Sequence, residues 1–292
     1  MEPRTFFTPK MDIIFKIVFG STHNTDILKG FLQSVLDLPA TEYQHIDIAN
    51  PYISPEDLVG KSVILDIKVT TTSGRIINVE MQVQQIRGMR ERMVFYASKM
   101  IVDQAKRGDE YDQLKKVISI VIADFRMISE NEAYHNCYRL YDQRSGSTFS
   151  DVMEIHTLEL PKLPKAATEE DGLLLDWLRL FNAQSQHELA ELAERSKEMR
   201  KAVSIIEELN ADEHIRQLAE AEEKLRRDNA ALLSGARRDG IEEGRLEGIK
   251  EGIEEGKLAV AKRLLSSGMD IQQIADVTEL SFDEIAKLQK EE

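Results

Sequence analysis

Three polar residues on two short alternating segments have the types and spacing needed to bind a metal ion. Asp66 lies on the polar side of one segment, and Glu80 and Gln82 lie on the polar side of the next. Two such strands joined by a short turn form a hairpin that brings the polar sides together. Carboxylate oxygens suit Mg²⁺, which can polarise a phosphodiester and help to generate hydroxide from water. The spacing permits a metal-dependent hydrolytic site, although spacing alone favours the alternative of two carboxylates on a solvent-facing sheet.

The elements that must position these residues alternate between strand and helix. Residues 61–70 and 77–83 have the period-two pattern of half-buried strands, and residues 71–75 contain a glycine and predict the turn between them. Residues 89–107 predict a helix, and the apolar run over 117–122 is typical of a strand buried on both faces. A strand–helix–strand crossover beside a hairpin predicts an α/β fold with a mixed central sheet. The other predicted elements before residue 161 are helices over 11–20 and 25–38 and a strand over 152–160.

The second half of the chain is predicted to be helical. Pro161 and Pro164 indicate a domain boundary. With the changes of pattern further along, we expect four parts in all. These are an α/β domain over 1–165, a helical region over 166–238, a glycine-rich acidic helix or linker over 239–257, and a small helical unit over 258–292.

Glycine recurs every fourth residue from Gly240 to Gly256. A helix would carry these glycines along one stripe that a partner helix could approach closely, but each glycine costs a helix about 1 kcal/mol. A flexible acidic linker is the alternative. Further on, Ser281 and Glu284 predict a capping box. The apolar residues predicted to form a small terminal core are Ile271, Ile274, Ala275, Leu280, Ile285 and Leu288.

The net charge of −14 is unevenly distributed. Residues 1–125 hold 15 basic and 16 acidic side chains, whereas residues 126–292 hold 23 and 36. Residues 87–116 are locally positive, with eight basic and five acidic side chains. This stretch predicts either an ordinary solvated helix face or a surface that contacts phosphates.

Composition excludes several classes of protein. There is one cysteine, Cys137, which rules out internal disulfides and makes a zinc site improbable. No apolar stretch has the roughly 18 residues that a membrane helix needs, and the first residues lack a signal-peptide pattern. We therefore expect a cytoplasmic protein without membrane contact.

Four segments, in order, resemble the PD-(D/E)XK nuclease superfamily, and more narrowly its Rpn family of recombination-promoting nucleases, also described as transposases. The resemblance covers most of residues 9–160 and the tail from about residue 240. It implies a restriction-endonuclease-like core followed by an all-helical C-terminal tail. The segments are Asp12 to Lys16 with Phe19-Gly20, Ile64 to Lys68 with Asn78 to Gln82, Tyr96 to Tyr111, and the Gly-every-fourth tail.

The resemblance also implies roles for individual residues. Asp66 and Glu80 would ligate Mg²⁺ or Mn²⁺ together with the Met81 carbonyl, and Asp12 would supply an outer carboxylate. Gln82 occupies the place of the superfamily's catalytic lysine, where an amide can orient water but cannot supply a cation. We infer separately that Lys68 could supply the missing positive charge, because Lys68 shares a strand face with Asp66. The alternative is that Lys68 is an ordinary solvent-exposed lysine. Candidate DNA-contacting residues are Arg87, Arg90, Arg92, Lys99, Gln104, Lys106 and Arg107.

Three functions compete. The first is a Mg²⁺-dependent endonuclease that cleaves double-stranded DNA in recombination or transposition. The second is an inactive nuclease-fold protein that works through its tail as an oligomeric interaction module, and fold alone does not decide between the two. The third is DNA binding through the last helices, which their acidity disfavours. Retention of Asp12, Asp66, Glu80 and Gln82 together favours the enzyme, and we expect the C-terminal helices to drive homo-oligomerisation.

Overall fold

A computed structural model describes residues 6–49, 67–105, 108, 110–165 and 172–290. The strands are β1 (Asp47–Ala49), β2 (Ile67–Thr70), β3 (Ile76–Gln82), β4 (Val117–Ala123), β5 (His135–Tyr141) and β6 (Thr148–Glu159). The helices are α1 (Asp12–Gly20), α2 (Thr25–Val35), α3 (Met89–Val102), α4 (Leu173–Asn182), α5 (Gln186–Ala193), α6 (Lys197–Ala211), α7 (Glu213–Ser266), α8 (Ile271–Thr278) and α9 (Phe282–Lys290).

The strands form one mixed sheet in the order β1-β2-β3-β4-β6-β5. The β3–β4 and β4–β6 pairs are parallel, and the β1–β2, β2–β3 and β5–β6 pairs are antiparallel. The β2–β3 hairpin followed by the α3 crossover to β4 confirms the predicted α/β fold with a mixed sheet. Every residue of β4 is buried, as its continuous apolar run predicts.

Two apolar layers cover the two faces of the sheet. On one face, α3 packs Met89 and Met93 against Val121 and Ile155. On the other face, side chains of β2, β3 and β4 join a larger core with α1, α2, α4, α5 and α6. The polar residues of β3 thus lie on the face that α3 covers.

The larger core joins the beginning of the chain to residues far along it. Phe19 of α1 stacks on Phe181 of α4 at 5.6 Å between ring centroids, and the edge of Trp177 packs against Phe19 at 5.9 Å. The Asn210 side chain both accepts from the Phe7 amide at 2.8 Å and donates to the Phe7 carbonyl at 2.7 Å. Helices α4 to α6 therefore complete the same core as α1 and α2.

The β2–β3 turn is held by a buried carboxylate outside the hairpin. Glu42 lies in a 3₁₀ turn (Ala40–Tyr43) and accepts from Thr71 Oγ1 at 2.8 Å, Ser73 Oγ at 2.7 Å and Arg75 Nη1 at 2.7 Å. Burial raises the pKa of Glu42, but these hydrogen bonds outweigh it and lower the pKa to about 2. Gly74 adopts φ +86°, a left-handed conformation that favours glycine. The contacts of Glu42 and the conformation of Gly74 together specify the turn.

Residues 1–223 and 224–292 form two compact units. In the second unit, the predicted terminal core is confirmed: Ile274, Leu280, Ile285 and Leu288 are buried against the last turns of α7. The predicted capping box of α9 is also present, because the Ser281 amide donates to the Glu284 carboxylate at 2.8 Å and the Glu284 amide donates to Ser281 Oγ at 3.3 Å.

The glycine repeat is helical. Gly240 to Gly256 all lie within α7, so the structure favours the helix over the flexible linker. Exposed apolar side chains accompany these glycines, including Leu246 and Ile253. No helix in the described part of the chain is both long and apolar enough to cross a bilayer.

Candidate active site

The polar face of β3 is the centre of the candidate site. Alternation along β3 places Ile77, Val79 and Met81 in the larger core and leaves Asn78, Glu80 and Gln82 on the face that α3 covers. The Met81 side chain is buried in the core, so only its backbone carbonyl could serve the ligand role predicted for this residue.

Glu80 is deeply buried on this face, with 3% of the residue exposed. Its two carboxylate oxygens accept from different amides: Asn78 Nδ2 donates to Oε1 at 2.9 Å, and Gln82 Nε2 donates to Oε2 at 3.4 Å. A buried charge requires such partners. The two amides therefore orient Glu80, and neither of them carries a formal charge.

The Asn78 amide leaves a polar atom unsatisfied. Because Glu80 only accepts, the Asn78 nitrogen must face it, which turns Oδ1 away. Among the described residues, Asn78 Oδ1 is buried and has no hydrogen-bond partner. Such an atom costs about 1–3 kcal/mol unless a donor or a cation satisfies it. Carboxylate and carbonyl oxygens are the donors that Mg²⁺ and Mn²⁺ prefer, so Glu80 and the Met81 carbonyl have the chemistry that would suit such an ion.

Lys68 lies on the same face as Glu80. It is directly opposite Asn78 in the antiparallel pairing of β2 with β3, and opposite residues share a face. Asp66, the predicted metal ligand on this segment, lies outside the described residues. Its proximity to Glu80 stays a prediction.

The N-terminal end of α1 holds the remaining predicted carboxylate. Asp12 is half exposed; its Oδ2 accepts from Lys16 Nζ at 2.8 Å, and its backbone amide donates to Glu222 Oε1 at 3.0 Å. Two residues earlier, Lys10 Nζ pairs with Asp124 Oδ1 at 2.8 Å. A role for Asp12 at the metal stays a prediction.

The Lys10–Asp124 pair ties the start of the chain to the end of β3. The Asp124 amide donates to the Gln82 carbonyl at 2.9 Å, so the Lys10 side chain reaches the strand end that carries Gln82. Sequence reasoning missed Lys10, Asp124 and the role of Asn78. For Asn78 a signal existed, since it shares the polar strand face with Glu80, whereas the contact between Lys10 and Asp124 spans 114 residues and has no local signature.

The basic residues predicted on α3 have acidic or aromatic neighbours. Arg90 binds Glu130 through both terminal nitrogens at 3.0 Å, and Lys99 pairs with an aspartate one turn later. Arg92 donates to the Tyr96 hydroxyl at 2.9 Å, with its guanidinium 4.9 Å from the ring centroid. These pairs are solvent-accessible, and exposed pairs contribute about 0–1 kcal/mol, so phosphates could compete for the same cations.

The other candidate DNA contacts differ in their surroundings. Arg87 is exposed just before α3, whereas Lys106 and Arg107 lie outside the described residues. The Gln104 amide binds the backbone: Nε2 donates to the carbonyls of Met100 and Lys115, and Oε1 accepts from the Lys115 amide at 2.7 Å. Those bonds fix the end of α3 beside the start of β4, which gives Gln104 a structural role.

Comparison with known families agrees with this architecture. Residues 9–236 match the PD-(D/E)XK nuclease family transposase model, and residues 254–290 match the Rpn/YhgA-like nuclease family, C-terminal HTH domain. No curated protein and no solved structure matches the chain. The first match covers well over half of the sequence and includes the whole sheet, which confirms the resemblance found in the four sequence segments. The chain belongs to the PD-(D/E)XK nuclease family transposases, with the C-terminal domain of the Rpn/YhgA-like nucleases.

Proposed function

We propose that this protein is a divalent-metal-dependent endonuclease that hydrolyses phosphodiester bonds of double-stranded DNA during recombination or transposition. The observation that carries the proposal is the buried Glu80 carboxylate, held by two amides beside the unsatisfied Asn78 oxygen. A carboxylate buried to this depth on the polar face of β3, with an amide donor on each oxygen, is a suitable ligand for a metal ion. The family's nuclease assignment supports the same conclusion.

Glu80, the Met81 carbonyl and Asp66 would hold the ion, and Asp12 would add an outer carboxylate. A bound Mg²⁺ supplies Lewis acidity and lowers the pKa of its water. Gln82 keeps Glu80 oriented and has an amide oxygen left to position a water molecule. Lys68, on the same face, can place a positive charge near the phosphate, which Gln82 cannot do.

The DNA duplex would lie against the α3 surface. Arg87, Arg90, Arg92 and Lys99 supply cations there, and their binding energy would come mainly from phosphates. The C-terminal HTH match supports a second DNA contact, although Asp283 and Glu284 at the start of α9 are unfavourable near phosphates.

The test is cleavage of supercoiled plasmid by the full chain with Mg²⁺ and with EDTA. We expect nicking or linearisation only with Mg²⁺. Asp66→Ala and Glu80→Gln should each lower the rate at least about a hundredfold, since even indirect partners of a metal commonly contribute 10–100-fold. Glu110→Gln is the matched control, because this exposed glutamate lies away from β3 in an irregular segment.

Folding must be checked in each variant, because Glu80 is buried. Fluorescence of the only tryptophan, Trp177, reports the larger core directly. A Glu80→Gln protein with native Trp177 emission and wild-type cleavage would refute the assigned site. Cleavage that is unaffected by EDTA would refute the metal dependence.

A further inference from the structure

A second cluster of metal-binding side chains lies at the opposite edge of the sheet, away from β3. Cys137 of β5 is directly opposite His156 of β6, and Glu154 precedes His156 by two residues on the same strand face. The Cys137 sulfur, a ring nitrogen of His156 and a carboxylate oxygen of Glu154 all lie within 4.8 Å of one another. Cys137 lies 19 residues before His156 in the chain, so the strand register brings it to the other two residues.

The distances approach those of a tetrahedral site. Cys137 Sγ is 3.7 Å from His156 Nε2, and His156 Nε2 is 2.7 Å from Glu154 Oε1. Zinc bonds of about 2.3 Å to sulfur and 2.0–2.1 Å to nitrogen, at tetrahedral angles, place sulfur and nitrogen about 3.6 Å apart. The same geometry needs about 3.4 Å between nitrogen and oxygen, so the Glu154 carboxylate would move by roughly 0.7 Å.

Neighbouring side chains orient these groups. His135 Nε2 lies 2.8 Å from His156 Nδ1, which leaves His156 Nε2 directed toward Cys137 and Glu154. A ligating imidazole is usually held through its far nitrogen, and His135 serves here in place of the more common carboxylate or carbonyl. Lys116 and Arg139 both bind Glu154 Oε2, at 2.6 and 2.8 Å, so Oε1 is the oxygen that faces the histidine.

Burial and charge set the character of the site. Glu154 and His156 are 4% and 3% exposed, whereas Cys137 is exposed and gives access from solvent. One sulfur, one imidazole and one carboxylate leave a fourth position for water. The adjacent cations of Lys116 and Arg139 weaken the attraction for a metal ion. We therefore expect a dissociation constant of about micromolar, which is weaker binding than at structural zinc sites.

We propose that Cys137, Glu154 and His156 form a site for a borderline-soft divalent ion of the Zn²⁺ class, distinct from the hard-cation site on β3. A thiolate and an imidazole select against Mg²⁺, so the two sites take different ions. The bound ion would link the edge strand β5 to β6. This proposal does not depend on nuclease activity.

Cobalt provides the direct test on the full-length protein, purified without a histidine tag. Titration with Co²⁺ should produce a near-ultraviolet sulfur-to-cobalt charge-transfer band, which added Zn²⁺ abolishes and excess Mg²⁺ does not. Cys137→Ser should remove this band, and it should leave the fold intact because Cys137 is exposed. His187→Gln is the matched control, since its side chain is 83% exposed and lies far from the cluster, and it should bind like the wild type.

The reactivity of the only cysteine provides a second measurement. Zn²⁺ should slow the reaction of Cys137 with a thiol reagent at least about tenfold, and a chelator should restore the rate. Glu80→Gln should leave both measurements unchanged, which separates this site from the proposed nuclease site. A cobalt spectrum without a sulfur band, or thiol reactivity that Zn²⁺ does not alter, would overturn the proposal.

Discussion

Substitution of Glu42 by glutamine tests how the hairpin beneath the candidate active site is held. Glutamine keeps the shape of the side chain but replaces one accepting oxygen by an NH₂ group. Either Arg75 or the two hydroxyls of Thr71 and Ser73 must then lose their acceptor. A hydrogen bond to a charged group contributes about 1.5–3 kcal/mol, so we expect Glu42→Gln to lower the free energy of unfolding by about 2–3 kcal/mol.

The pKa of Glu42 expresses the same contacts as a dependence of stability on pH. Folding lowers this pKa from 4.5 to about 2. At 1.36 kcal/mol per unit, that difference corresponds to at most about 3 kcal/mol, and solvent around the 30%-exposed Arg75 side chain reduces it. Because the folded-state pKa is depressed, the stabilisation is complete above pH 4.5 and is lost as the pH falls from 4.5 toward 2.

The assay is urea unfolding followed by Trp177 fluorescence, which reports the first compact unit alone. The stability gap between wild type and Glu42→Gln should be largest near neutral pH and should shrink at about pH 3. Glu110→Gln, an exposed matched control, should differ from wild type by less than about 0.5 kcal/mol. A gap below that value at neutral pH, or one that does not narrow in acid, would refute the proposed role of Glu42.

Two further predictions concern the core and the tail. Lys162 and Glu159 form an ion pair at 3.1 Å whose side chains are fully buried. Lys162→Met should lower the free energy of unfolding by about 3–5 kcal/mol, because it leaves the charge of Glu159 buried without its partner. Adding Glu159→Gln should recover part of the loss. Urea unfolding measures both, and equal stability of the single variant and the wild type would contradict the reasoning. In α7, Leu225, Leu232 and Leu246 are 62%, 71% and 50% exposed and fall on one seven-residue spacing, so we expect them to drive dimerisation. Light scattering should give a dimer for the full chain and a monomer after all three are changed to serine; a monomeric wild type at micromolar concentration would reject the idea.

The strands that position Glu80 could be predicted from sequence because their burial is strongly patterned. Alternation along β3 separates Glu80 from its apolar neighbours, and the apolar run of β4 identifies a central strand. The capping box at Ser281 is equally local and was also correct. In each case one short segment contains the whole physical signal.

Other elements lacked such a signal. β5 was not predicted, because as an edge strand it exposes most of its side chains and shows no apolar alternation. β1 has three residues and was missed for its shortness. Helices predicted over 25–38 and 89–107 end earlier, at Val35 and Val102. The approach of Cys137 to His156 depends on strand register, which is decided by pairing across the sheet. The sequence pattern does not reveal this register, so the presence of a single cysteine argued against a cysteine-based metal site.

The pairing of Phe7 with Asn210 has a consequence for synthesis of the chain on the ribosome. These residues are 203 positions apart, and at about 5–20 residues per second the ribosome needs about 10–40 s to make the intervening segment. For most of that interval α1 and α2 lack the aromatic partners that α4 supplies, so α4 does not yet cover their apolar faces. Assembly of the first unit therefore cannot be completed until residue 210 has been made, and its last step closes a long loop.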